Sequence, residues 1–386
     1  MRVAIFTDND FDKVNGVTTT LTALVSRAPA DVDPRIYTAS GVGRDETRYL
    51  ALRSVGMPIP FYSEMSMYVP RWHEYLRRSM LDGIDLIHLT TPGPLGLTAL
   101  WVASKTGLPL VGSFHTDLEA YTSILSGSRR LALCMGTYMR WMYGRCQTVL
   151  VPSAATRQLM VDMGTPIERI GLWTRGVDTQ LFAPERRSSS LRDRWDVHDC
   201  RPAMLYVGRL SREKGLDLLP ALTKALERLG VSHRLVVAGD GPLKPWLMEQ
   251  CPGAVFTGML GRDEVADVFA SSDVFLFPSR TDTAGNVVLE AQAAGVPVLV
   301  SNAGGPCENM VDGVTGVVCD GNVTEIWVEK ATALLGDESR RRRMSEAARG
   351  YALTRRWDTA LAAVYDTYRA AMHRPSESCA VVSHAV

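Results

Sequence analysis

The sequence predicts an α/β protein made of two Rossmann-like domains, each a parallel sheet covered by helices. Three observations support this prediction. Short apolar runs rich in Val, Leu and Phe alternate with longer segments of helical periodicity, which is the pattern of βαβ units. The alternation breaks once, in a polar stretch that contains Pro184 and a run of serines, and then starts again. The length of 386 residues suits two domains of ordinary size.

The first predicted domain covers residues 1–183. Its strands are predicted from apolar runs at residues 2–8, 35–40, 85–90, 108–114 and 148–153. Its helices are predicted from apolar residues three and four positions apart, at residues 18–27, 71–81, 97–107 and 154–164. Gly107 is expected to end the third helix, and a loop is expected at residues 115–121.

A linker is predicted at residues 184–200 and a second domain at residues 201–356. The strands of the second domain are predicted at residues 203–208, 234–238, 254–258, 273–279 and 296–301. Its helices are predicted at residues 215–230, 286–294, 323–336 and 339–352. An amphipathic helix at residues 357–373 and a frayed tail at residues 374–386 complete the prediction.

Composition and charge argue against several classes of protein. Lys plus Arg equals Asp plus Glu, at 42 each, which argues against a dedicated nucleic-acid binder. No apolar run approaches the roughly 20 residues that a membrane-spanning helix needs. Met1 leads directly into a strand, so no signal peptide is expected. Seven cysteines without a C-x-x-C pair indicate reduced thiols in a cytoplasmic protein with no zinc site.

Residues 279–301 read as a polar loop, a short helix and a buried strand. The loop follows another buried strand, so it lies where parallel sheets bind ligands. Asn286 is predicted as the N-cap of the helix. Four residues are predicted to offer free backbone N–H groups at this helix start: Gly285, Asn286, Val287 and Val288.

Two carboxylates flank this helix start, Asp282 in the loop and Glu290 in the helix. A positive backbone pole beside two carboxylates suits a ligand that carries both phosphates and sugar hydroxyls. The alternative is an ordinary crossover, in which Asp282 caps the loop and Glu290 is solvated.

Further candidate residues follow other strands. Arg209 and Lys214 flank a loop where Arg can hold a diphosphate by two hydrogen bonds and Lys adds a point charge; the alternative is a solvated basic turn. A Gly-Asp-Gly turn at 239–241 and Gly16 in the first loop would let backbone approach a ligand. His115 ends a strand and is either structural or directed into the cleft expected between the two domains.

The segment 120–161 contains five arginines and no acidic residue, with aromatic residues interleaved. The helix at 71–81 adds Arg71, Arg77 and Arg78 beside Trp72. Basic and aromatic side chains together suit contact with an anionic membrane. The alternative is a half-buried helix with ordinary solvated arginines.

In their order along the chain, these motifs resemble glycosyltransferase family 4. The motifs are NGV at 15–17, FHTD at 114–117, RGVD at 175–178, VGRLSREKG at 207–215, GDGP at 239–242, FTG at 256–258, DVFLFPS at 273–279 and the acid pair at 282 and 290. The resemblance covers residues 2–357 and implies the GT-B fold, with the helix at 357–373 packing back on the first domain. The segment at 281–295 is similar to that of GDP-mannose-dependent α-mannosyltransferases and glycolipid-forming transferases.

The resemblance implies a role for each matching residue. Arg209 and Lys214 match the family's diphosphate-binding pair, and Glu290 matches the acid that holds the ribose hydroxyls. The amides of residues 285–288 match the backbone that covers the sugar and phosphate. His115 matches the histidine beside the reacting carbon, and Gly16 matches the glycine beside the diphosphate.

Two positions depart from the family pattern. Asp282 stands where the family usually has Glu to hold the donor sugar, and its carboxylate is set back by roughly 1.5 Å. Ala284 stands where an aromatic residue is common. Both departures bear on the identity of the sugar more than on the activity.

The resemblance implies a retaining hexosyltransferase that takes a nucleotide-sugar donor, mannose favoured, and a glycan or lipid acceptor. The enzyme is expected in the cytoplasm, in peripheral contact with the inner face of the membrane. No cofactor and no metal are expected, because Arg209, Lys214 and the helix N-terminus would already neutralise the diphosphate. The D-x-D strings at Asp8/Asp10 and at Asp31/Asp33 are accordingly interpreted as loop caps.

The alternatives to this function include other sugar donors and other classes of protein. One is a glycolipid transferase that uses a UDP-sugar and moves glucose, N-acetylglucosamine or sulfoquinovose. A nucleotide-sugar 2-epimerase is weaker, because it would lack the acid pair together with the GNVVLEA segment at 285–291. A non-catalytic nucleotide-sugar-binding subunit is weaker, because it would be expected to lose Lys214 or Glu290, and both are present. A glycosidase is disfavoured, because its two acids would not need a basic pair beside them.

Overall fold

A computed structural model describes residues 1–11, 15–39, 48–52, 56–59, 62–320 and 323–373. The chain divides into two compact units. The first unit holds residues 1–174 together with the segment that begins at Asp358, and the second holds Arg175–Trp357. The tail predicted at 374–386 lies outside the described residues.

A seven-stranded parallel sheet forms the centre of the first unit. The strands of this unit are β1 (Arg2–Phe6), β2 (Asp33–Thr38), β3 (Tyr49–Ala51), β4 (Gly56–Ile59), β5 (Tyr62–Tyr68), β6 (Leu86–Leu89), β7 (Leu110–Ser113), β8 (Thr148–Val151) and β9 (Ile170–Leu172). Their order in the sheet is β3-β2-β1-β6-β7-β8-β9, while β4 and β5 form a separate antiparallel pair. Val3 to Phe6 are fully buried, as expected of a strand covered on both faces.

Before residue 174, the described part of the chain contains six helices: α1 (Gly16–Ser26), α2 (Trp72–Leu81), α3 (Pro94–Thr106), α4 (Leu118–Ser126), α5 (Arg129–Tyr143) and α6 (Ala154–Asp162). A 3-10 turn at Ile167–Arg169 leads into β9. The loop predicted at 115–121 is shorter in the structure, because α4 already begins at Leu118. Its N-cap is Asp117, whose carboxylate accepts from the Ala120 N–H at 3.0 Å.

The second unit contains a six-stranded parallel sheet, in the order β12-β11-β10-β13-β14-β15. These strands are β10 (Ala203–Val207), β11 (Arg234–Ala238), β12 (Val255–Gly258), β13 (Val274–Phe277), β14 (Val298–Ser301) and β15 (Gly316–Cys319). Along β10, Leu205 and Val207 pack into one apolar cluster, whereas Met204 and Tyr206 pack into another. Both faces of this sheet are therefore covered.

The helices of the second unit are α7 (Ser189–Arg194), α8 (Leu218–Arg228), α9 (Lys244–Gln250), α10 (Arg262–Ala270), α11 (Asn286–Ala293), α12 (Thr324–Leu335) and α13 (Glu338–Thr354). Short 3-10 turns lie at Pro184–Arg186, Arg212–Lys214 and Pro306–Asn309.

The predicted boundary at residue 183 and the predicted linker at 184–200 differ from the structure. Residues 175–200 belong to the second unit, and part of this segment folds into α7. Two arginines of this polar segment form ion pairs: Arg186 donates to Asp267 at 2.7 Å, and Arg192 donates to Asp273 at 2.9 Å. These ion pairs attach the segment to the second unit.

The last described helix, α14 (Trp357–His373), packs within the first unit from Asp358 onward. Leu361 and Val364 are fully buried, and the hydroxyl of Tyr365 donates to the carbonyl of Leu24 at 2.7 Å. The first unit is therefore assembled from two stretches of chain that the second unit separates.

The strand order reverses once in each large sheet, between β1 and β6 and between β10 and β13. Open parallel sheets bind ligands beside such a reversal, at the carboxyl ends of the strands. In the second unit, the loop after β10 carries Arg209 and Lys214, and the loop after β13 carries Asp282.

Candidate active site

Lys214 and Asp282 meet beside the strand reversal of the second unit. The Nζ atom of Lys214 donates to Oδ2 of Asp282 at 2.8 Å, and their side chains are 15% and 22% exposed. Because β10 and β13 are adjacent, residues 68 positions apart in the sequence face each other. The sequence assigned the two side chains to different parts of a ligand and did not predict that they pair.

A second contact joins the same two loops. Thr281 Oγ1 donates to the backbone carbonyl of Glu213 at 3.1 Å. The Glu213 side chain is itself buried and accepts a hydrogen bond from Ser211. Sequence reasoning missed Glu213, because an acid within a basic turn reads as solvated.

Arg209 is half-buried in the loop after β10, and its backbone carbonyl accepts a hydrogen bond from Tyr206 Oη at 2.9 Å. The Gly-Asp-Gly turn packs against this loop. A Cβ atom on Gly239 would lie only 2.0 Å from the carbonyl oxygen of Gly208. The turn therefore needs glycine for contact between two loops, while the approach of its backbone to a ligand stays a prediction.

The start of α11 differs from the sequence prediction in two ways. The N-cap is Gly285, not Asn286, with a left-handed backbone at φ 66°. A Cβ atom on Gly285 would lie 2.8 Å from the side chain of Pro306, so both conformation and space favour glycine. The N–H of Val288 donates to the Gly285 carbonyl at 3.0 Å in a tightened first turn, so it is not one of the free amides.

The turn at Pro306–Asn309 holds the loop that carries Asp282. The N–H of Gly305 donates to the Asp282 carbonyl at 3.1 Å, and the Asn309 side chain donates to the Ala284 carbonyl. Gln292 on α11 donates to the Asn309 carbonyl at 2.6 Å. Sequence reasoning missed Asn309, because no motif includes it; the nearest local signal is the pair of glycines at 304–305.

Glu290 lies on α11, one turn beyond the cap, and is half-buried. The structure records no hydrogen bond or ion pair of its carboxyl group with any described residue. Burial raises the pKa of Glu290 to about 7, and the charge of Arg262 offsets this only in part. A desolvated carboxyl without a partner is suited to accept hydrogen bonds from ligand hydroxyls.

In the first unit, Gly16 is the first residue of α1. The Asn15 side chain caps this helix, accepting from the N–H groups of Val17 and Thr18 at 2.9 Å each. The structure thus places Gly16 at the positive end of a helix dipole, as an anion-binding backbone requires.

His115 follows β7 in the first unit and is half-buried. Its Nε2 atom lies 2.8 Å from Ser113 Oγ, and its ring meets the ring of Trp173 edge-on at 5.4 Å. The candidate residues are thus divided between the units: Gly16 and His115 in the first, and the basic and acidic residues in the second.

The D-x-D strings have structural partners. Asp8 is half-buried and accepts hydrogen bonds from Leu95 N at 2.9 Å, in the first turn of α3, and from Thr91 Oγ1. Desolvation raises the pKa of Asp8. Asp31 pairs with Arg369 at 3.0 Å, and Asp33 pairs with Arg35 at 3.0 Å. Among the described residues, no group of three or more His, Cys, Asp or Glu is arranged to hold a metal ion.

The basic-aromatic segment at 120–161 covers most of α4, all of α5 and β8, and most of α6. Met139 and Met142 are buried on one side of α5, whereas Leu131, Leu133 and Trp141 are 45–55% exposed. The guanidinium of Arg145 lies 4.0 Å from the centre of the Trp141 ring. Of the helices that the structure describes, none is both long and apolar enough to cross a bilayer.

Two Rossmann-like units, each with a strand reversal in its parallel sheet, define the GT-B fold. Solved structures agree with this fold. Sucrose-phosphate synthase from Thermosynechococcus elongatus superposes with a TM-score of 0.78 at 16% identity, covering 96% of this chain and 98% of that one. The Anabaena protein HepE in complex with UDP-glucose superposes with a TM-score of 0.77 at 17% identity, covering 96% and 100%.

The chain belongs to glycosyltransferase family 4. The sequence model described as Glycosyltransferase Family 4 matches residues 14–181, and the one described as Glycosyl transferases group 1 matches residues 189–351. The chain is therefore an enzyme that transfers a sugar, as the motif order predicted.

Three curated relatives are similar over most of the chain. A GDP-mannose-dependent alpha-mannosyltransferase of Corynebacterium glutamicum is 32% identical, over 90% of this chain and 84% of the relative. A Mycobacterium tuberculosis protein of the same name is 31% identical, over 98% and 99%. A sulfoquinovosyl transferase of Arabidopsis thaliana is 32% identical, over 81% of this chain and 62% of the relative.

Proposed function

We propose that this glycosyltransferase moves mannose from GDP-mannose to a lipid-linked or glycan acceptor and retains the α configuration of the sugar. The names of two relatives that match at least 90% of this chain support the mannose donor. The structural observation that carries the proposal is the ion pair of Lys214 with Asp282 between two adjacent loops, followed by a helix on which the Glu290 carboxyl has no hydrogen bond or ion pair with a described residue.

The donor would use this arrangement in two ways. Its diphosphate would contact Arg209, Lys214 and the amides of residues 285–287, exchanging the Lys214–Asp282 ion pair for a shared network. Asp282 would then accept from the sugar hydroxyls, while Glu290 would accept from the ribose hydroxyls. Glu290 is suited to this role, because a ligand hydroxyl would restore hydrogen bonds that burial removed.

The proposed reaction is a displacement on one face of the sugar. The bond between the anomeric carbon and the phosphate oxygen breaks, and a bond to the acceptor oxygen forms on the same face. The departing phosphate oxygen takes the acceptor's proton, while Arg209 and Lys214 stabilise its growing negative charge. His115 and Gly16, from the first unit, are proposed to act on the same donor. No metal is required, because these groups already neutralise the diphosphate.

A lipid acceptor would bring the enzyme to an anionic membrane. The arginines of α5 lie beside exposed Leu131, Leu133 and Trp141, which is the combination that favours peripheral binding to such a surface. We therefore place the enzyme in the cytoplasm, in peripheral contact with the inner membrane face.

A second donor class has specific support. One relative is a sulfoquinovosyl transferase, and HepE was solved with UDP-glucose. Asp282 in place of Glu and Ala284 in place of an aromatic residue also change the surface that would meet the sugar. A UDP-sugar-dependent glycolipid transferase is therefore the second candidate.

The experiment is a donor screen with product analysis. GDP-mannose, UDP-glucose, UDP-N-acetylglucosamine and UDP-sulfoquinovose are each offered with a membrane lipid extract, with and without EDTA. The anomeric configuration of the product is read by NMR. Lys214→Ala is expected to lose on the order of 100-fold or more in turnover, whereas exposed Lys224→Ala serves as the matched control.

Transfer from GDP-mannose alone, insensitive to EDTA and giving an α-linked product, supports the proposal. Transfer from a UDP-sugar alone selects the second candidate. A β-linked product contradicts the front-face displacement. Activity that EDTA abolishes and Mn²⁺ restores contradicts the metal-free mechanism. Turnover of Lys214→Ala within a few-fold of the control contradicts the assignment of the diphosphate site.

A further inference from the structure

A continuous chain of hydrogen bonds runs through the core of the first unit and ends at His115. Tyr368 Oη lies 2.7 Å from Nδ1 of His88, and Nε2 of His88 lies 2.9 Å from Ser113 Oγ. The same Ser113 hydroxyl lies 2.8 Å from Nε2 of His115. Tyr368, His88 and Ser113 are fully buried, so solvent does not compete for these bonds.

The direction of the chain follows from its buried end. Tyr368 carries a hydroxyl proton, and the structure records no acceptor for it among the described residues other than His88 Nδ1. If His88 donated to Tyr368 instead, the hydroxyl proton of Tyr368 would be buried without an acceptor among the described residues. This disfavours that direction by about ten- to a hundredfold. Tyr368 therefore donates to His88.

Each later bond follows from the first. With Nδ1 of His88 accepting, its Nε2 carries the proton and donates to Ser113 Oγ. The Ser113 hydroxyl then has its own proton to give, and Nε2 of His115 is the acceptor within reach. His115 consequently carries its ring proton on Nδ1.

We propose that Tyr368, His88 and Ser113 are positioning residues that fix His115 as the Nδ1–H tautomer, with Nε2 held as a hydrogen-bond acceptor. This inference rests on the proposed function, which places His115 beside the donor sugar. It deepens that function, because it states which ring nitrogen of His115 carries the proton: Nδ1 is the hydrogen-bond donor of the ring and Nε2 is the acceptor.

Two further observations are consistent with a fixed tautomer. Burial lowers the pKa of His88 to about 3, so its ring stays neutral and keeps one donor and one acceptor nitrogen. The Trp173 ring meets both imidazoles, His115 at 5.4 Å and His88 at 6.0 Å, which limits rotation of either ring. With Nε2 occupied by Ser113, His115 is not the base that takes the acceptor's proton.

The test uses the full-length protein with ¹⁵N-labelled histidine. Wild type is expected to show the His115 ring with a protonated Nδ1 and an unprotonated Nε2, the signal being assigned by its loss in His115→Gln. Tyr368→Phe removes the terminal donor and is expected to move both His115 ring shifts towards an average of the two tautomers. Tyr365→Phe loses a similar buried hydrogen bond from the same helix and is the matched control.

Turnover gives a second readout. Tyr368→Phe and Ser113→Ala are expected to lower kcat on the order of tenfold with KM for the nucleotide sugar unchanged, since they alter His115 and not the nucleotide site. Tyr365→Phe and Ser79→Ala, which removes another buried serine hydroxyl, are expected to leave kcat unchanged.

The outcomes separate this inference from the proposed function. A wild-type His115 protonated on Nε2, or identical His115 shifts in both Tyr→Phe variants, overturns the positioning chain. If the shifts behave as expected while His115→Gln keeps full turnover, the chain stands and the proposed role of His115 fails. Equal losses in Tyr368→Phe and Tyr365→Phe indicate a general packing effect and overturn the inference.

Discussion

The carboxyl of Glu290 and the ion pair of Lys214 with Asp282 show two ways in which single residues carry charge in the second unit. Lys214 and Asp282 neutralise each other at 2.8 Å. Glu290 has no such partner within the described residues, and burial raises its pKa to about 7. Burial therefore makes the neutral form of the Glu290 carboxyl more stable than it is in water, and ligand hydroxyls at the proposed ribose site would restore hydrogen bonds to it.

We expect this cost to appear as a pH dependence of stability. The pKa of Glu290 is higher in the folded state, at about 7, than its ordinary value of 4.5. Between these values the folded protein binds more protons than the unfolded chain, so the contribution of Glu290 to stability falls as pH rises through this window. Above pH 7 the contribution is constant.

Glu290→Gln should remove this dependence. The free energy of unfolding of the variant minus that of wild type is expected to increase by roughly 1–3 kcal/mol as the pH rises from 4.5 to 7. Urea unfolding at several pH values measures the difference, and exposed Glu227→Gln controls for the loss of one negative charge. A difference in the free energy of unfolding that does not vary with pH would show that folding does not raise the pKa of Glu290.

At the scale of elements, the junction between the loop after β13 and helix α11 sets the geometry of the site. Gly285 adopts a left-handed backbone at φ 66°, and the turn at Pro306–Asn309 packs directly against it. Asn309 and Gln292 then connect this turn to the loop and to the helix. The position of Asp282 therefore depends on contacts from a segment that follows the next strand.

Gly285→Ala is expected to destabilise this junction. The new Cβ would meet Pro306 at 2.8 Å and would force a strained backbone, at a cost of about 1–3 kcal/mol. Gly350→Ala is the matched control, because Gly350 is exposed within α13 and a Cβ atom there would meet no other atom within 4 Å. Alanine is favoured over glycine inside a helix, so this variant should be more stable than wild type by about 0.5–1 kcal/mol. Thermal unfolding measures both. Equal changes in melting temperature in the two variants would contradict the predicted strain at Gly285.

At the scale of the whole molecule, the first unit depends on a helix from the far end of the chain. Helix α14 supplies buried Leu361, Val364, Tyr365 and Tyr368 to a unit whose sheet ends before residue 174. The second unit is one continuous segment, Arg175–Trp357. The two units should therefore respond differently to loss of the terminal helix.

A chain truncated after Trp357 tests this difference. Hydrogen exchange is expected to show lost protection in β6 and β7 of the first unit and retained protection in β10 and β13 of the second. A chain that ends at His373 keeps α14 and is the control. Retained protection of β6 in the shorter chain would show that α14 contributes little to the first unit.

Regular elements were largely predictable, because apolar runs and helical spacing report burial directly. The buried strands β1, β10, β13 and β14 coincide with predicted runs. The hairpin of β4 and β5 was missed, because the apolar residues of 62–68 do not alternate regularly. The segment at 184–200 was predicted as a linker from its polar composition, Pro184 and its serines, and a local pattern does not show that its arginines pair with aspartates of the second unit.

The candidate site was predictable only where a motif marks it. The order of short motifs identified the loops of Arg209, Lys214 and Asp282, but no local pattern shows which residues meet. His88 and Tyr368 lie 280 positions apart and look like separate core residues in the sequence. Their contact depends on α14 returning to the first unit, which only the fold shows.

The discontinuous first unit has a consequence for biosynthesis. The ribosome makes residues 1–174 first, but the helix that completes their core emerges only after Arg175–Trp357. At roughly 5–20 residues per second, this interval lasts on the order of 10–40 s. During that time the nascent first unit exposes the apolar surface that α14 will later cover. We therefore expect the newly made chain to bind a ribosome-associated chaperone.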